Sequence, residues 1–512
     1  MYRDKVIIVS KKNELYSYFS KMCINSKNLK NVTNFYIRQC MTGLKKSPEL
    51  RQPNETEVLH YVFTGITKLN SIRNKTLRKK IDKVINDKNL SEEEKTSRIE
   101  ALLSKDTKAS YPSIDKWFLN YNTLEGILKL SENEAYNNLP SQVNQQAIKD
   151  CITSWDSFFK ALADYKANPS KYTGKPKLPK YKKSDLTTST FTNIVCKLKT
   201  IDNKIYLRFP KTKDMLCLGT YIKEDEHLVL VKVVPFNGKF KVILTLGEKE
   251  TITKEELALL KEEKIKNAKR IFSIDLGINN FATISNNIGV SPTIIKGEFI
   301  KSKNQYFNKR RALLTSKVQK GKDSKNSIKH TKRLNSLSRK RSNFFKDFFY
   351  KASYLIIREA IKYNIDTIVI GHTKFWKQEA NIGSTNNQNF VNIPYDKFIS
   401  ILTYIASKNN IFVVDIEESY TSKASFLDMD DIPTYKENEN KEYTFSGSRI
   451  RRGMYKSKEG ILINADINGA SNILRKMFSN AFNEIKDLSY IYNKVIIYNF
   501  NNFYSNRSNC CA

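Results

Sequence analysis

Two aspartates in this chain have the residue type and the setting needed to bind a divalent metal ion. Asp275 lies within an apolar stretch that predicts a β-strand, Ile271-Phe272-Ser273-Ile274-Asp275-Leu276-Gly277. Asp466 lies much later, at the predicted start of a helix, in Asn464-Ala465-Asp466-Ile467-Asn468-Gly469-Ala470. An ionised carboxylate in so apolar a strand is costly unless a cation or hydrogen-bond donors compensate it. Brought together, the two carboxylates would offer a cation hard oxygen ligands.

Each aspartate also has a structural explanation that involves no metal. An aspartate before a glycine is commonly a turn residue or an ion-pair partner, and Asp466 could cap its helix by accepting backbone N–H bonds. The residues after Asp275, Ile278-Asn279-Asn280-Phe281-Ala282-Thr283, predict a tight turn into a second antiparallel strand. Such a hairpin opens an RNase H-like sheet. Helix capping and metal binding are compatible at Asp466, and the pairing of the two acids favours a metal-dependent nuclease.

Metal-assisted cleavage of a phosphodiester needs a third carboxylate, because two ions about 4 Å apart require several anionic ligands. Oxygen ligands and a phosphate substrate favour Mg²⁺, with Mn²⁺ as a substitute. The candidates are Glu417 and Glu418, at the end of a predicted strand, and Glu379 elsewhere in the chain. Adjacent strand residues point to opposite faces, so only one of Glu417 and Glu418 should face Asp275. The local sequence leaves that choice open.

The charge balance predicts a polyanionic partner. The chain has 88 Lys and Arg against 52 Asp and Glu, a formal net charge of +36, which favours nucleic acid. Residues 301–346 contain 16 Lys or Arg and a single acid, Asp323, whereas a merely solvated face normally mixes both signs. Ser448-Arg449-Ile450-Arg451-Arg452 is a second basic patch. The predicted phosphate contacts are Lys309, Arg310, Arg311, Lys332, Arg333, Arg339, Lys340, Arg341, Lys423, Arg449, Arg451 and Arg452.

Other features of the composition narrow the class of protein. No segment approaches the roughly 18 apolar residues of a membrane-spanning helix, and the short apolar run Val6 to Val9 is too brief for a signal peptide. We therefore expect a cytoplasmic protein without a membrane partner. The seven cysteines include no Cys-x-x-Cys pair, which predicts free thiols in a reducing compartment and no zinc ribbon.

The order of helical and strand-like segments predicts a multidomain α/β protein. Helical periodicity comes first, Pro and Gly residues then mark a boundary, and short strand-like runs follow. From residue 270, strands alternate with helices as in a mixed α/β layer. The predicted parts are a first barrel strand (1–11), a helical lobe (12–167), a small β-barrel (168–250), a connector (251–269), the first part of a nuclease domain (270–418), an insertion (419–463) and a last helix with the C-terminal tail (464–512).

The individual elements follow from the same patterns. In the barrel, strands are predicted at 187–198, 204–209, 227–234 and 239–246. In the nuclease domain, strands are predicted at 270–276, 279–285, 292–300, 366–371 and 411–417, and helices at 303–364 and 394–409. Gly321 marks a potential break in the first of these helices. Residues 69–108 form a charged helical segment with a helix start at Ser91, which either grips nucleic acid or is a solvated hairpin.

Taken together, these residues resemble the TnpB (OrfB) proteins of bacterial insertion sequences, which are related to type V CRISPR effector nucleases. The matching motifs are Asp275-Leu276-Gly277, Tyr420-Thr421-Ser422-Lys423 and residues 464–470, with Gly174-Lys175-Pro176-Lys177-Leu178-Pro179-Lys180-Tyr181 at the start of the barrel. The order of parts also matches: a helical recognition lobe, a wedge barrel and a RuvC nuclease domain. The resemblance implies an RNA-guided endonuclease. A guide RNA copied from the element's end would direct it to double-stranded target DNA, without an obligate protein partner.

This sequence departs from the family pattern at the third acid. The family usually carries its glutamate in a strand that ends in Glu-Asp-Leu, whereas the corresponding strand here runs into Gly371-His372-Thr373 without an acid. Some relatives place the glutamate just before Tyr-Thr-Ser-Lys, a position that here is Glu418. The implied catalytic residues and metal ligands are Asp275, Glu418 and Asp466, with Glu417 as the alternative to Glu418.

A second departure concerns zinc. The zinc-binding cysteines that the family usually has after Thr-Ser-Lys are missing, and residues 424–433 stand in their place. We therefore predict no zinc and expect packing or nucleic acid to hold the insertion.

Two other functions are compatible with the sequence, and a third is not supported by it. A miniature type V CRISPR effector would share these residues and differ in its gene neighbourhood. A nuclease-dead, RNA-guided repressor would tend to lose catalytic acids. Asp275 and Asp466 are retained here, but Gly371 stands at the end of the strand where the family usually has its glutamate. A transposase that joins strands itself lacks support, because the four histidines include no His-x-His pair.

Overall fold

The computed structural model describes residues 2–104, 108–169, 172, 174–219, 222, 226–248, 254–319, 331–372, 393–434 and 443–499. The chain divides into two compact units, residues 1–251 and residues 252–512. Buried apolar clusters form a core within each unit. Among the described helices, none combines the length and the apolar character that crossing a membrane requires.

The first unit has a helical part, as the periodicity predicts. Leu15, Phe19, Met22 and Cys23 recur at helical spacing and are all buried. The helices are α1 (Leu15–Gly43), a short 3-10 helix (Pro48–Leu50), α2 (Pro53–Ile85), α3 (Glu92–Leu103), α4 (Tyr121–Leu130), α5 (Glu134–Asn137) and α6 (Ser141–Ala167).

The charged segment 69–108 forms the second half of α2 and the whole of α3. Ser91 caps α3, because its hydroxyl accepts the Glu94 N–H at 3.2 Å while the Glu94 carboxylate accepts the Ser91 N–H at 3.1 Å. This reciprocal capping box satisfies two otherwise unpaired N–H groups. The predicted helix start at Ser91 is confirmed, and contact of this hairpin with nucleic acid stays a prediction.

The β part of the first unit forms two sheets that do not close into the predicted barrel within the described residues. Its strands are β1 (Tyr2–Val9), β2 (Ser189–Thr192), β3 (Lys197–Ile201), β4 (Lys204–Arg208), β5 (Met215–Gly219), β6 (Glu226–Phe236) and β7 (Lys239–Glu248). One sheet has the order β1-β7-β6-β2 and the other the order β3-β4-β5. Because β1 and β2 lie at opposite edges of the first sheet, no described pairing closes it. The predicted strand 187–198 is divided in two, since the chain turns between Thr192 and Lys197.

The second unit is built on a six-stranded mixed sheet. Its elements are α7 (Lys254–Lys266), β8 (Ile271–Leu276), β9 (Asn280–Asn286), β10 (Thr293–Lys296), α8 (Glu298–Gln319), α9 (Lys332–Lys362), β11 (Thr367–Gly371), α10 (Tyr395–Lys408), β12 (Phe412–Ile416), β13 (Ser448–Arg451), β14 (Met454–Lys456), β15 (Leu462–Asn464), α11 (Ala465–Met477), α12 (Tyr490–Asn493) and β16 (Ile496–Tyr498). The strand order is β12-β11-β8-β9-β10-β16. Strands β8, β9 and β10 pair antiparallel, whereas β11 runs parallel to β8 and β12 parallel to β11.

Most elements predicted for this unit are confirmed, including the hairpin β8-β9. The predicted strand 292–300 is shorter because the Gly297 N–H bonds to the Asn279 carbonyl at 2.7 Å and α8 begins at Glu298. The segment 303–364, predicted as helical with a potential break at Gly321, contains two helices, α8 and α9, and Gly321 itself lies outside the described residues.

Helix α11 lies close against the sheet because its facing residues are small. The Ser273 hydroxyl, on β8, donates to the Ala470 carbonyl at 2.7 Å. The hydroxyls of Ser285 and Ser471 are also 2.7 Å apart. This close approach brings the first turn of α11, with Asp466, to the carboxyl end of β8.

Polar side chains hold the insertion. From α11, the Asn468 amide donates to the Ala424 carbonyl at 2.8 Å. Within the insertion, the Asp430 carboxylate accepts the N–H of Ser425 at 2.7 Å and that of Ser446 at 3.0 Å. Hydrogen bonds to a carboxylate are stronger than neutral ones. These contacts link the segment that replaces the expected zinc-binding cysteines, and the absence of zinc stays a prediction.

Candidate active site

Two of the predicted acids belong to the end of the mixed sheet at which its parallel strands finish. Asp275 directly follows Ile274, the residue of β8 that pairs with Ile370 of β11. The next residue of β11, Gly371, pairs with the last residue of β12, and Glu417 and Glu418 follow. Because these three strands are parallel, their carboxyl ends share one edge of the sheet. The topology therefore brings Asp275 near the 417–418 segment.

Of the two adjacent glutamates, Glu418 is turned toward Asp275 and Glu417 is turned elsewhere. A Cβ atom added at Gly371 would lie 3.0 Å from Oε2 of Glu418, so this carboxylate occupies the space above the glycine. The charge of Glu418 acts on Asp275. Glu417 instead accepts a hydrogen bond from the Lys476 ammonium at 2.6 Å. Opposite orientation of neighbouring residues thus separates the two, as predicted.

Asp466 joins this site from the start of α11, and it does not cap the helix. Asn464 is the cap, since its side-chain oxygen accepts the N–H groups of Asp466 at 2.9 Å and Ile467 at 3.3 Å. The Asp466 carboxylate therefore has other partners. Nδ2 of Asn280 donates to it at 2.6 Å, and the Arg449 guanidinium lies 3.6 Å away. The capping explanation for Asp466 is wrong, and the carboxylate faces the site.

Two of the acids affect the ionisation of Asp275. Burial raises the pKa of Asp275 well above its usual range, the charges of Glu418 and Asp466 raise it further, and Arg449 opposes them. Burial likewise raises the pKa of Glu418 to about 7. Several carboxylates can all be ionised in one partly buried site only if a cation compensates them.

The donor set suits a hard divalent cation such as Mg²⁺, which prefers carboxylate oxygens. Within the described ranges, no three side chains of His, Cys, Asp or Glu form a complete metal site as they stand. The acids therefore suit a divalent cation in two respects. Their donor atoms are carboxylate oxygens, and a bound cation would offset the repulsion between their negative charges.

Glu418 and Asp466 border a cleft of about 920 Å³ with a basic wall. The charged lining residues are Glu418, Asp466, Lys296, Glu298, Lys301, Arg449 and Arg452. The Lys296 ammonium donates to Oδ1 of Asn280 at 3.0 Å, and Asn280 in turn donates to Asp466. Cations beside a group of carboxylates allow the cleft to hold a phosphate group next to a carboxylate-bound metal ion.

The predicted phosphate contacts differ in their exposure. The exposed ones are Lys309, Arg310, Arg311, Lys332, Arg333, Lys340, Lys423, Arg449, Arg451 and Arg452, whereas Arg339 and Arg341 are partly buried. The Arg341 guanidinium donates twice to Oδ1 of Asn304, at 2.9 and 3.1 Å. It also lies over the rings of Phe307 and Phe345. Arg341 therefore joins α8 to α9, a structural role that the charge pattern did not predict.

Sequence reasoning missed several residues of this site. Tyr395 is fully buried and its hydroxyl donates to the Gly277 carbonyl at 2.6 Å, which fixes the turn after Asp275. Asn280 had a usable signal, because it is polar and lies three residues after the Asp-Leu-Gly motif. Lys296 and Tyr395 had none, since only the fold brings them to the site. Glu379, the remaining candidate for the third acid, lies outside the described residues.

Replacement of Asn280 by Ala is expected to slow metal-dependent cleavage of DNA by about 10- to 100-fold, the usual cost of losing a partner that orients a metal ligand. Asn279→Ala is the matched control, because the Asn279 side chain accepts from Lys301 at 3.2 Å rather than donating to Asp466. Rates would be measured over a range of Mg²⁺ concentrations. Equal rates for the two variants would show that Asn280 does not orient Asp466.

Two family models match the sequence. Residues 250–377 match the OrfB (IS605) family, described as a probable transposase. The resemblance to OrfB proteins is confirmed. Residues 395–473 match the Cas12f1-like TNB domain. The OrfB segment contains Asp275 and Gly371, and the TNB segment contains Glu418 and Asp466, so both matched segments contribute to the candidate site.

Several solved structures are similar to this OrfB-like chain. The Cas12f1 structure with sgRNA and target DNA has 15% identity and a TM-score of 0.29, covering 79% of this chain and 94% of that one. The mini RNA-guided endonuclease CRISPR-Cas phi3 has 11% identity and a TM-score of 0.35, with 70% and 86% covered. AacC2c1 with sgRNA and extended non-target DNA has 9% identity and a TM-score of 0.36, with 81% and 70% covered. None of the curated proteins matches the chain.

Proposed function

We propose that this protein is an RNA-guided, Mg²⁺-dependent DNA endonuclease of the TnpB (OrfB) type, carried by a transposable element and acting in the cytoplasm. The observation that supports it most is the placement of Glu418 and Asp466 close enough to act on the buried Asp275, beside a basic cleft. The two family matches support the same class. We assign the mixed sheet, which the hairpin β8-β9 opens, to an RNase H-like RuvC domain.

In this proposal Asp275, Glu418 and Asp466 hold Mg²⁺, or Mn²⁺ as a substitute. Metal ions bound by such acids activate the attacking water and stabilise the leaving oxygen of a phosphodiester. The chain's own residues orient the ligands and the substrate. Asn280 holds the Asp466 carboxylate, and Arg449 lies where it can bind a phosphate oxygen beside that carboxylate.

The guide RNA and its DNA target would be bound through their phosphates. The net charge of +36 and the exposed cations of α8 and α9 suit a guide–target duplex, which proteins recognise by its backbone rather than its sequence. We assign the helical part of the first unit to a recognition lobe and its two sheets to a wedge domain. No further protein partner is needed for this activity.

Replacing both Arg310 and Arg311 by Gln should weaken guide-dependent DNA binding and make it less sensitive to salt. Removing one phosphate contact lowers the slope of log K against log salt by about 0.9. The same change at Lys486 and Lys494, exposed lysines outside both basic stretches, is the control. Binding would be measured by filter retention at several salt concentrations. Identical slopes for the two double variants would remove α8 from the interface.

The deciding experiment is cleavage of a target plasmid in Mg²⁺ by protein co-expressed with the RNA encoded at its element's end. Glu418→Ala should abolish cutting, Glu379→Ala should leave it intact, and Glu417→Ala should reduce it. Guide-dependent binding by the wild type without cutting would contradict the nuclease proposal. It would leave the second candidate, a guide-programmed repressor, which the acid-free end of β11 at Gly371 favours.

A miniature type V CRISPR effector would use the same residues in the same way. The TNB match supports that relationship. A CRISPR array beside the gene would favour this alternative, and a transposon end would favour the TnpB type.

A further inference from the structure

Glu418 is placed differently from the other two acids of the site. Asp275 lies in a strand and Asp466 in a helix, and both elements fix their side chains. Strand β12 ends at Ile416, so Glu418 lies beyond the last paired residue. A carboxylate carried by such a connecting segment needs other contacts to hold it over Gly371.

Lys476 supplies contacts on both sides of Glu418. Its ammonium donates to Oε2 of Glu417 at 2.6 Å, to the Ser419 carbonyl at 2.9 Å and to the Pro433 carbonyl at 3.3 Å. These are three acceptors for the three donors of an ammonium group. The Lys476 side chain is only 8% exposed and that of Glu417 is 33% exposed, so the ion pair is shielded from water on its lysine side. Both neighbours of Glu418 are thus bound to one buried cation.

Glu417 adds a further hydrogen bond to these contacts. Its other oxygen, Oε1, accepts the Ser419 N–H at 2.6 Å, so Glu417 and Ser419 bracket Glu418 in a closed set of contacts with Lys476. The Glu418 carbonyl itself accepts from the Thr421 hydroxyl at 2.8 Å. Tyr420, in the same turn, has a φ of +63°, which is unfavourable for an aromatic residue and persists only where surrounding contacts impose it.

Lys476 belongs to the last turn of α11, the helix whose first turn carries Asp466. The middle of the same helix approaches Asp275, because a Cβ added at Gly469 would lie 3.0 Å from Oδ2 of Asp275. One rigid helix therefore contacts Asp275, carries Asp466 and binds both neighbours of Glu418.

We propose that Lys476 and Glu417 form a partly buried ion pair that positions Glu418 for metal binding. This inference rests on the proposed nuclease function. It changes the role of Glu417 from alternative metal ligand to positioning residue. It also explains how an acid outside the strands can replace the one missing at Gly371.

Lys476→Met and Glu417→Gln test the pair separately, and the double variant removes both charges. Breaking one partner of a buried pair is destabilising, whereas replacing both is often neutral. The double variant should therefore fold like the wild type. We expect it to cut about 10- to 100-fold more slowly and to need more Mg²⁺ for half-maximal thermal stabilisation, which reports metal binding without activity. Guide-dependent target binding should be unchanged, and Lys476→Arg should recover part of the rate.

The outcomes separate this inference from the proposed function. A double variant that folds, cuts at the wild-type rate and shows the wild-type Mg²⁺ dependence would overturn the positioning role while leaving the nuclease intact. A wild type that binds its target and never cuts would overturn the nuclease itself. If the double variant is unstable, Glu417→Ala decides, because it removes the contact with Lys476 while the lysine keeps its bonds to the Ser419 and Pro433 carbonyls. Wild-type Mg²⁺ dependence in that variant would contradict the proposal.

Discussion

Glu418→Gln is expected to abolish cleavage and to stabilise the metal-free protein. Even partners that only orient a metal ligand cost about 10- to 100-fold when they are removed, so removal of the ligand itself should cost about 100-fold or more. Stability should change in the opposite direction. Burial raises the pKa of Glu418 from 4.5 to about 7 in the folded protein, so ionising it disfavours the folded state.

The pH dependence follows from that shift. Between about pH 4.5 and about pH 7 the unfolded chain ionises Glu418 while the folded chain keeps it protonated. Metal-free wild type should therefore lose stability relative to Glu418→Gln as the pH rises through this window, by about 1–3 kcal/mol in total. Below pH 4.5 the difference should vanish.

Chemical denaturation in EDTA at pH 4, 6 and 8 would measure this difference. Asp415→Asn is the control, because Asp415 is an exposed acid on β12. Added Mg²⁺ should stabilise the wild type and the control at pH 8 but not Glu418→Gln. A Glu418→Gln protein that is less stable than the wild type in EDTA would contradict the electrostatic account of this site.

The sequence identified the parts of this site that depend on local setting. Asp275 could be predicted because an acid in an apolar strand is unusual, whereas Asp466, at a helix start where acids are common, could be predicted only through its pairing with Asp275. The identity of the third acid could not be predicted from its own segment alone. Orientation on a strand allowed either Glu417 or Glu418, and the resemblance favoured Glu418. In the fold, Lys476 draws Glu417 away from the acids, a contact between residues distant in the chain.

The fold could be predicted where it depends on local sequence patterns, but not where it depends on pairing between distant segments. Strands such as β8 and β11 are rich in apolar and β-branched residues and are visible in sequence, whereas barrel closure depends on pairing between distant edges. Strand β5 was missed, although Leu216 and Leu218 are buried at alternate positions. The basic stretch 301–346 predicted phosphate contacts from charge alone. Charge does not reveal that Arg341 is engaged by Asn304 within the protein.

Gly371→Ala is the second change for which we expect a large effect. The added Cβ would lie 2.4 Å from Cδ1 of Ile473 and 3.0 Å from Oε2 of Glu418. Both neighbours must move, which costs about 1–3 kcal/mol as overpacking. A catalytic group misplaced by about 1 Å can cost about 100-fold in rate, so cleavage should fall by that order although no acid has been removed.

Two double variants separate packing from displacement of the acid. Adding Ile473→Val to Gly371→Ala removes the Cδ1 atom, so stability should recover while cleavage stays low, because Glu418 is still displaced. Combining Gly371→Glu with Glu418→Ala instead returns a carboxylate to the end of β11, where the family pattern has it. This variant should cut faster than Glu418→Ala alone in the plasmid assay. A Gly371→Ala protein with wild-type cleavage would show that Glu418 does not need the space above this glycine. If cleavage is lost in Glu418→Ala and recovers when Gly371→Glu is added, a carboxylate at position 371 can replace the one at position 418.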